Sequence, residues 1–253
     1  MKADIFCKPG SEEIAKDVAS FLEEMGVTAE IKAEIPDSCD FIVTVGGDGT
    51  ILRVLQKLKE CPPIFGINTG KVGLLTHANP DNYKERLASA IERMEVEEFM
   101  RVDCIYKEET MTALNEVALL TSMPARLVEF TVFVNGAEIE NLRSDGMLIA
   151  TSVGSTAYAL STGGPVVDPR MECLLIVPVA PFKLGWKPWV VSSSREVEVE
   201  VRVRDCLAIA DGHETLKIKA GERLLFKKSD YPARFFKMSN RISRIVEMLR
   251  SIK

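Results

Sequence analysis

Histidine is nearly missing from this chain: of 253 residues, only His77 and His213 carry an imidazole. That scarcity argues against a histidine-rich metal site and against any mechanism that needs several imidazoles. Six cysteines, Cys7, Cys39, Cys61, Cys104, Cys173 and Cys206, lie far apart with no CxxC pair. They read as buried free thiols of a reducing compartment. No apolar run approaches the roughly 20 residues that cross a bilayer, and the opening MKADIFCKPG lacks the long greasy segment of a signal peptide. The cytoplasm is the expected location. Positive charge is not clustered either: 32 lysines and arginines are scattered among 37 acids, for a net charge of −5. This excludes the electrostatic footprint of a nucleic-acid binder. No basic amphipathic helix or lipid-anchor motif points to a membrane. Carboxylates or the backbone must therefore carry the chemistry.

What the chain does have is an ordinary globular composition, 46% hydrophobic and 27% charged, and a pattern that changes part-way. Its length allows one large domain or two smaller ones. Over the first hundred residues, strand-like and helix-like runs alternate. ADIFC reads as a strand, SEEIAKDVASFLEEMG as a helix with Ser11 as N-cap and Gly26 past its end, and TAEIK as a second strand. DFIVTV has the near-continuous β-branched and aromatic character of a strand buried on both faces. ILRVLQKLKE then sets Ile51, Val54, Leu55 and Leu58 on one helical face, PPIFGIN restores a strand, and DNYKERLASAIERME is amphipathic. The alternation predicts a mostly parallel sheet with helices packed on it. From about residue 100 the signal is β-rich. RLVEFTVFVNGAEIENLR holds the hairpin dipeptide Asn135-Gly136, and EVEVEVRV alternates almost perfectly over 196–203. SNRISRIVEMLRSIK closes the chain with Ile242, Ile245, Val246 and Leu249 in a helical stripe.

The chemistry-bearing stretch is FIVTVGGDGTILRVL. Gly46, Gly47 and Gly49 let the backbone bend after a buried strand, just where the next helix offers unpaired N–H groups and a positive dipole end. Such a bend suits phosphate. It is neither GxGxxG nor a Walker A loop. In the nearest decoy, Gly66-Ile67-Asn68-Thr69-Gly70-Lys71, three residues separate Gly66 from the Gly-Lys pair where the P-loop needs four. A carboxylate beside a phosphate cradle is electrostatically costly unless it has a task, such as accepting a proton from an attacking hydroxyl or holding Mg²⁺. Asp48 is the candidate base; the competing reading is a plain turn in which Asp48 caps the following helix.

Four elements in order, GGDGT at 46–50, NTGKVGLLT at 68–76, the pair Asn115-Glu116, and SDGMLIATSVGSTAYALSTGGPVVDP at 144–169, resemble the NAD kinases over nearly the whole chain. GGDGT alone also occurs in diacylglycerol and sphingosine kinases, and a related form in phosphofructokinases. The resemblance implies an α/β domain over 1–99 carrying GGDGT and a β-rich NAD-binding domain over 100–238. A closing helix over 239–253 would return to the first domain. It implies phosphorylation of the 2′-hydroxyl of the adenosine ribose of NAD, with Mg²⁺ arriving on ATP or polyphosphate, and a homodimer or homotetramer. Asp48 would be the proton acceptor. Gly46, Gly47, Gly49 and Thr50 would lie beside phosphate, with Arg53 one helical turn further on, and no protein metal ligand is assigned.

Each carried-over position also has its own physics. A dinucleotide asks for paired donors and acceptors, which Asn115 and Glu116 supply. In GSTAYALS, covering Thr156, Ala157, Tyr158, Ala159, Leu160 and Ser161, hydroxyls combine with a small residue for close approach and a ring for stacking. Ser155 as a hydrolase nucleophile is disfavoured because GxSxG is absent. Arg143, Asp145, Ala180 and His213 follow from the resemblance; otherwise SDG and DGHE read as turns. Leu74 replaces a common phenylalanine, and Ala159 a common polar residue, which removes a possible hydrogen bond. A lipid or sugar kinase and a non-catalytic dinucleotide sensor are the alternative readings.

Overall fold

The computed structural model describes residues 1–33, 38–71, 73–238 and 241–251. Val72 of the NTGKVGLLT motif, and 239–240 and 252–253 of the expected closing helix, lie outside the described residues. In chain order the elements begin β1 (Lys2–Cys7), α1 (Glu12–Glu24), β2 (Thr28–Ile31), β3 (Phe41–Gly46), α2 (Asp48–Leu55), β4 (Ile64–Asn68), α3 (Tyr83–Arg93) and β5 (Val96–Phe99). They continue β6 (Val102–Tyr106), β7 (Glu109–Ala113), β8 (Glu116–Thr121), β9 (Val128–Val134), β10 (Ala137–Ser144) and β11 (Gly146–Thr151). A 3₁₀ turn (Val153–Thr156) and the single-turn helix α4 (Tyr158–Ser161) follow. The chain then forms β12 (Cys173–Val179), β13 (Trp189–Ser192), β14 (Val197–Arg202), β15 (Cys206–Ala210), β16 (Glu214–Ile218), β17 (Arg223–Lys228), β18 (Ala233–Phe236) and α5 (Arg241–Ser251). Among the described residues no helix is long and apolar enough to cross a membrane, which says nothing of a β-barrel.

Two compact units result, Met1–Glu98 with Pro232–Lys253, and Phe99–Tyr231. In the first, the sheet order is β2-β1-β3-β4-β18-β5, and the pairs β1–β2, β1–β3, β3–β4 and β4–β18 are parallel. Parallel strands need helical crossovers, and right-handed crossovers running outward in both directions from β1 and β3 leave a crevice beyond their C-terminal ends. The glycine bend opens there, because β3 ends at Gly46. Every residue of β3 is buried, in keeping with its apolar run. Gly26, at φ +76°, ends the first helix in the left-handed conformation that favours glycine. Ser11 stands at the N-cap without a side-chain hydrogen bond; instead Gly10 N–H donates to Glu12 Oε1 at 3.0 Å.

Three sequence expectations are corrected in this unit. Helix α2 stops at Leu55, so Leu58 lies beyond it, where i→i−3 bonds from Lys57 and Leu58 tighten the chain. Residues 233–236, placed with the β-rich part by a boundary at 238, form β18 and pair with β4 of the first sheet. In α5 the apolar stripe is incomplete: Ile245 is buried, but Ile242 is 53% and Val246 38% exposed. That helix is held largely through Arg241 and Arg244, described below.

The second unit stacks two six-stranded sheets, β10-β9-β14-β17-β6-β7 and β13-β12-β11-β8-β15-β16. Val102, Val117, Phe130, Ile149, Val199 and Phe226 are among the residues filling the core between them. Strand β14 buries alternate residues, as its sequence predicts. Strand β11 is buried throughout because Met147 and Ile149 join that core while Leu148 and Ala150 join a smaller cluster on the far face. The turn between β9 and β10 has Asn135 at φ +47° and Gly136 at φ +78°, as the hairpin dipeptide requires.

The ring of Phe236 meets Phe41 and Phe65 edge-on, with centroids 5.7 and 6.1 Å apart. Truncation by Phe236→Ala should therefore cost about 3–5 kcal/mol of stability, read from urea unfolding. A loss below about 1 kcal/mol would show that β18 adds little to this core.

Candidate active site

Asp48 is the first residue of α2, not a residue within a free turn, and Gly47 is the N-cap. Its carboxylate reaches across to the segment after β4: Leu74 N–H donates to Oδ2 at 2.8 Å and Leu75 N–H to Oδ1 at 3.0 Å. The group is half-buried, and burial raises its pKa despite opposition from the Leu74, Leu75 and Thr76 N–H groups and the Arg241 charge. Of the three glycines, Gly46 is sterically required, because a Cβ there would overlap the Thr50 side chain. Gly47 and Gly49 leave open space instead, with Gly49 exposed. Arg53 is exposed and donates from Nη2 to Cys7 O at 3.1 Å, tying α2 to the end of β1.

The segment that holds Asp48 is itself pinned from behind. Gly73 has no room for a Cβ beside Thr76 and Asn68. His77 accepts Gly66 N–H on Nδ1 at 3.0 Å, and its Nε2 donates to Phe236 O at 2.8 Å. Burial pushes its pKa down to about 3, so it is a neutral bridge and not an acid–base group. Arg241 donates to Leu74 O at 3.1 Å and to Glu97 Oε1 at 2.6 Å, and Arg244 donates to Thr76 O.

In the second unit, Asn115 falls in a bend between β7 and β8 and Glu116 opens β8, so strand alternation does not separate them. A buried carboxylate organises this bend. Asp211 accepts the N–H groups of Leu114 at 2.7 Å, Asn115 at 2.8 Å and Glu116 at 3.2 Å. Its own backbone is left-handed at φ +46°, and its carbonyl accepts from His213 Nδ1 at 2.7 Å, leaving the imidazole exposed. Gly154 lies against the Asn115 carbonyl, where any side chain would overlap it. Glu116 accepts Tyr158 N–H, yet its Oε2 is buried without a hydrogen-bond partner. Burial first, then the Asp211 charge, push the Glu116 pKa up to about 8.

Not all of the expected residues gather here. Asn115, Glu116, Tyr158 and His213 are linked at the Thr151 end of β11 by the bonds above, and Thr156 and Ala157 lie just before Tyr158. Thr156 and Ser161 hydroxyls turn back to the Val153 and Tyr158 carbonyls, Tyr158 is 37% exposed, and Leu160 is half-buried. Ala159 is fully buried among Ala118, Leu148 and Leu175, so it is part of a core cluster. Ser155 is buried and exchanges hydrogen bonds with the Val167 backbone, which removes it as a nucleophile. Arg143, Asp145 and Ala180 sit at the other end of β11, where Asp145 N–H donates to Val179 O and Arg143 stacks on Phe182 with 5.0 Å to the ring centroid. With about 3.4 Å of rise per residue, the two ends of this strand are roughly 17 Å apart.

Two family models match the chain. The ATP-NAD kinase N-terminal domain matches residues 5–96 and the ATP-NAD kinase C-terminal domain matches 114–238. An NAD kinase from Archaeoglobus fulgidus is 47% identical over 94% of this chain and 94% of its own length; one from Methanosarcina acetivorans is 40% identical over 79% and 74%. The chain belongs to the NAD kinase family. The crystal structure of the Archaeoglobus fulgidus NAD kinase in complex with ATP superposes with a TM-score of 0.92 at 44% identity, covering all of both chains. Yeast NADH kinase complexed with NADH shares the fold, at TM-score 0.89 and 20% identity, over all of this chain and 88% of its own.

Sequence reasoning missed several residues that hold these two segments in place, each within its own unit. Asp211 hid in DGHE, which looks like any hairpin turn, although a carboxylate at a left-handed Asp-Gly was the available signal. Arg241 and Arg244 lie one turn apart on α5 and read as solvated charges beside an apolar stripe. The Leu74 and Leu75 donors are backbone groups and leave no side-chain signal.

Because the folded protein keeps the Glu116 proton where the unfolded chain, with an ordinary value of 4.5, has released it, stability falls as pH rises from about 4.5 to about 8. Glu116→Gln should flatten that slope in thermal melts of the ligand-free protein; an unchanged slope would contradict the shift.

Proposed function

We propose that the chain phosphorylates the 2′-hydroxyl of the adenosine ribose of NAD to give NADP, with Asp48 taking the hydroxyl proton. The observation that carries this reading is the way Asp48 is held. Leu74 and Leu75 N–H donate to its two oxygens at 2.8 and 3.0 Å and the Thr76 N–H is also turned to it, which fixes the group while leaving acceptor capacity for a substrate proton. A raised pKa makes it a stronger base than an ordinary aspartate. The open space over Gly47 and Gly49 lets phosphate approach the backbone at the start of α2. Gly46 and Thr50 shape the bend and Arg53 braces it. In phosphoryl transfer the protein's main contribution is this kind of positioning.

Asn115 and Glu116 would take the adenosine end, the unpartnered Glu116 Oε2 receiving a ribose hydroxyl donor. Thr156, Ala157, Tyr158, Leu160, Ser161 and His213 would flank it. ATP or polyphosphate is the donor. Among the described residues no three His, Cys, Asp or Glu side chains converge on one point, and the glycine bend presents a single carboxylate. Mg²⁺ arriving with the donor would sit beside this single carboxylate and would supply positive charge to offset that of the phosphates. The separation of Arg143, Asp145 and Ala180 from the other group supports a dimer or tetramer in which a second copy supplies them. Exposed Phe182 and Leu184, at 68% and 95%, beside Ala180 favour such burial. Free thiols at all six cysteines suit the cytoplasm.

Incubation with NAD, Mg²⁺ and ATP or polyphosphate should yield NADP, detected with an NADP-specific dehydrogenase. Asp48→Asn should keep NAD affinity while turnover drops about 10²- to 10⁴-fold. The acid limb of wild-type kcat/KM should lie above the ordinary aspartate value of 3.8, since rate needs the deprotonated carboxylate. NAD binding without NADP from either donor would favour a sensor instead.

A further inference from the structure

The carboxylate of Asp48 is joined to α5 by a path of three hydrogen bonds. At its far end Glu97 of β5 accepts from Arg241 Nη2 at 2.6 Å, and the other prong, Nη1, donates to Leu74 O at 3.1 Å. A peptide unit joins the carbonyl of one residue to the N–H of the next. Leu74 O therefore shares its unit with Leu75 N–H, the group that donates to Asp48 Oδ1 at 3.0 Å. A carbonyl that accepts from a charged donor polarises its unit and strengthens the bond that its N–H gives. The Leu74 and Thr76 N–H groups belong to the units on either side and lie off this path.

The guanidinium at the head of the path is fixed. Glu97 Oε1 also accepts Met238 N–H at 3.1 Å, which ties the carboxylate to the chain just before α5. Arg241 lies over the Phe235 ring, 5.7 Å from its centroid. Both members of the Arg241–Glu97 pair are largely buried. Such a pair is a poor source of net stability, since desolvation offsets its attraction. Its use here is aim: a planar fork with both prongs set is held in a way that a single ammonium is not. Neighbouring Arg244 makes the contrast. It donates to Thr76 O, whose peptide unit carries His77 N–H, and that N–H goes to Gly66 O at 2.7 Å and not to Asp48.

We propose that Arg241, aimed by Glu97, is a positioning residue for phosphoryl transfer that acts on Asp48 through the one peptide unit between Leu74 and Leu75. The proposal deepens the phosphoryl-transfer reading and rests on it for the effect on turnover. Arg241 and Arg244 are the α5 cations whose charge reaches Asp48; Arg53 of α2 turns to Cys7 O, and His77 is neutral. The Arg241 charge favours the ionised carboxylate, as does a stronger Leu75 bond, so losing either raises the Asp48 pKa further.

NMR of Arg241→Gln in the whole ligand-free protein tests the path without turnover. With Asp48 ionised, the Leu75 amide proton should move upfield, by more than those of Leu74 and Thr76, and the Asp48 midpoint should rise. Arg241→Lys keeps the charge but loses the fork, so the Leu75 amide should move the same way while the midpoint stays nearer the wild type. Arg244→Gln should leave the Leu75 amide in place. In the NADP assay, kcat of Arg241→Gln should fall about tenfold, the size of one hydrogen bond, with KM for NAD held within about twofold. Arg241→Lys should recover part of that loss. Should Arg241→Gln not fold, Arg241→Lys carries the test. Equal shifts of the three amides, or an unmoved Leu75 amide, would overturn the proposal, as would a raised KM with kcat unchanged. Failure of the phosphoryl-transfer reading shows elsewhere, as no NADP formed from NAD with either donor, and leaves the amide result standing.

Discussion

Two backbone N–H groups, from Leu74 and Leu75, hold the carboxylate of Asp48, and the construction of the first unit follows from that grip. Side chains could not hold it as rigidly, because each would lose rotamer freedom on being fixed. For the segment to present those donors it must stay close to β4, and Gly66 and Gly73 allow this by leaving room for Thr76. Behind it, neutral His77 joins the β4 backbone to β18, while Arg241 and Arg244 of α5 take up the outward carbonyls. The last strand and helix of the chain thus brace the residue proposed to do the chemistry.

The second unit uses the same device for a different end. Asp211 also gathers backbone N–H groups, three of them, but is only 6% exposed, whereas Asp48 is half-buried. A carboxylate so enclosed is an anchor: it fixes Asn115 and Glu116 and has no route to a substrate proton. Accessibility, more than the number of hydrogen bonds, separates the proposed base from the brace. Glu116 lies between these cases, buried with one oxygen unpartnered, and it meets the cost of that burial by holding its proton to about pH 8.

Much of this was legible in the sequence. The buried strand before the glycines, the αβ alternation and the Asn135-Gly136 hairpin each rest on local patterns that tertiary contacts reinforce. The family motifs brought out Asp48, Asn115 and Glu116. What stayed hidden rests on contacts between distant segments. The bonds from Leu74 and Leu75 join residues 26 and 27 positions from Asp48 through backbone atoms, which any side chain would supply. ARFF at 233–236 is too short to reveal which sheet it joins. Ala159 shows that a small residue in a motif is equally suited to close ligand approach and to a tight core, and here it is core.

The central claim is that Asp48 is a base of raised pKa held by two amides. The most direct measurement is an NMR titration that follows the Asp48 carboxyl carbon and the Leu74 and Leu75 amide protons together. The account predicts one shared midpoint above the ordinary aspartate value of 3.8. A midpoint at or below that value, or amides that ignore the carboxyl titration, would contradict it.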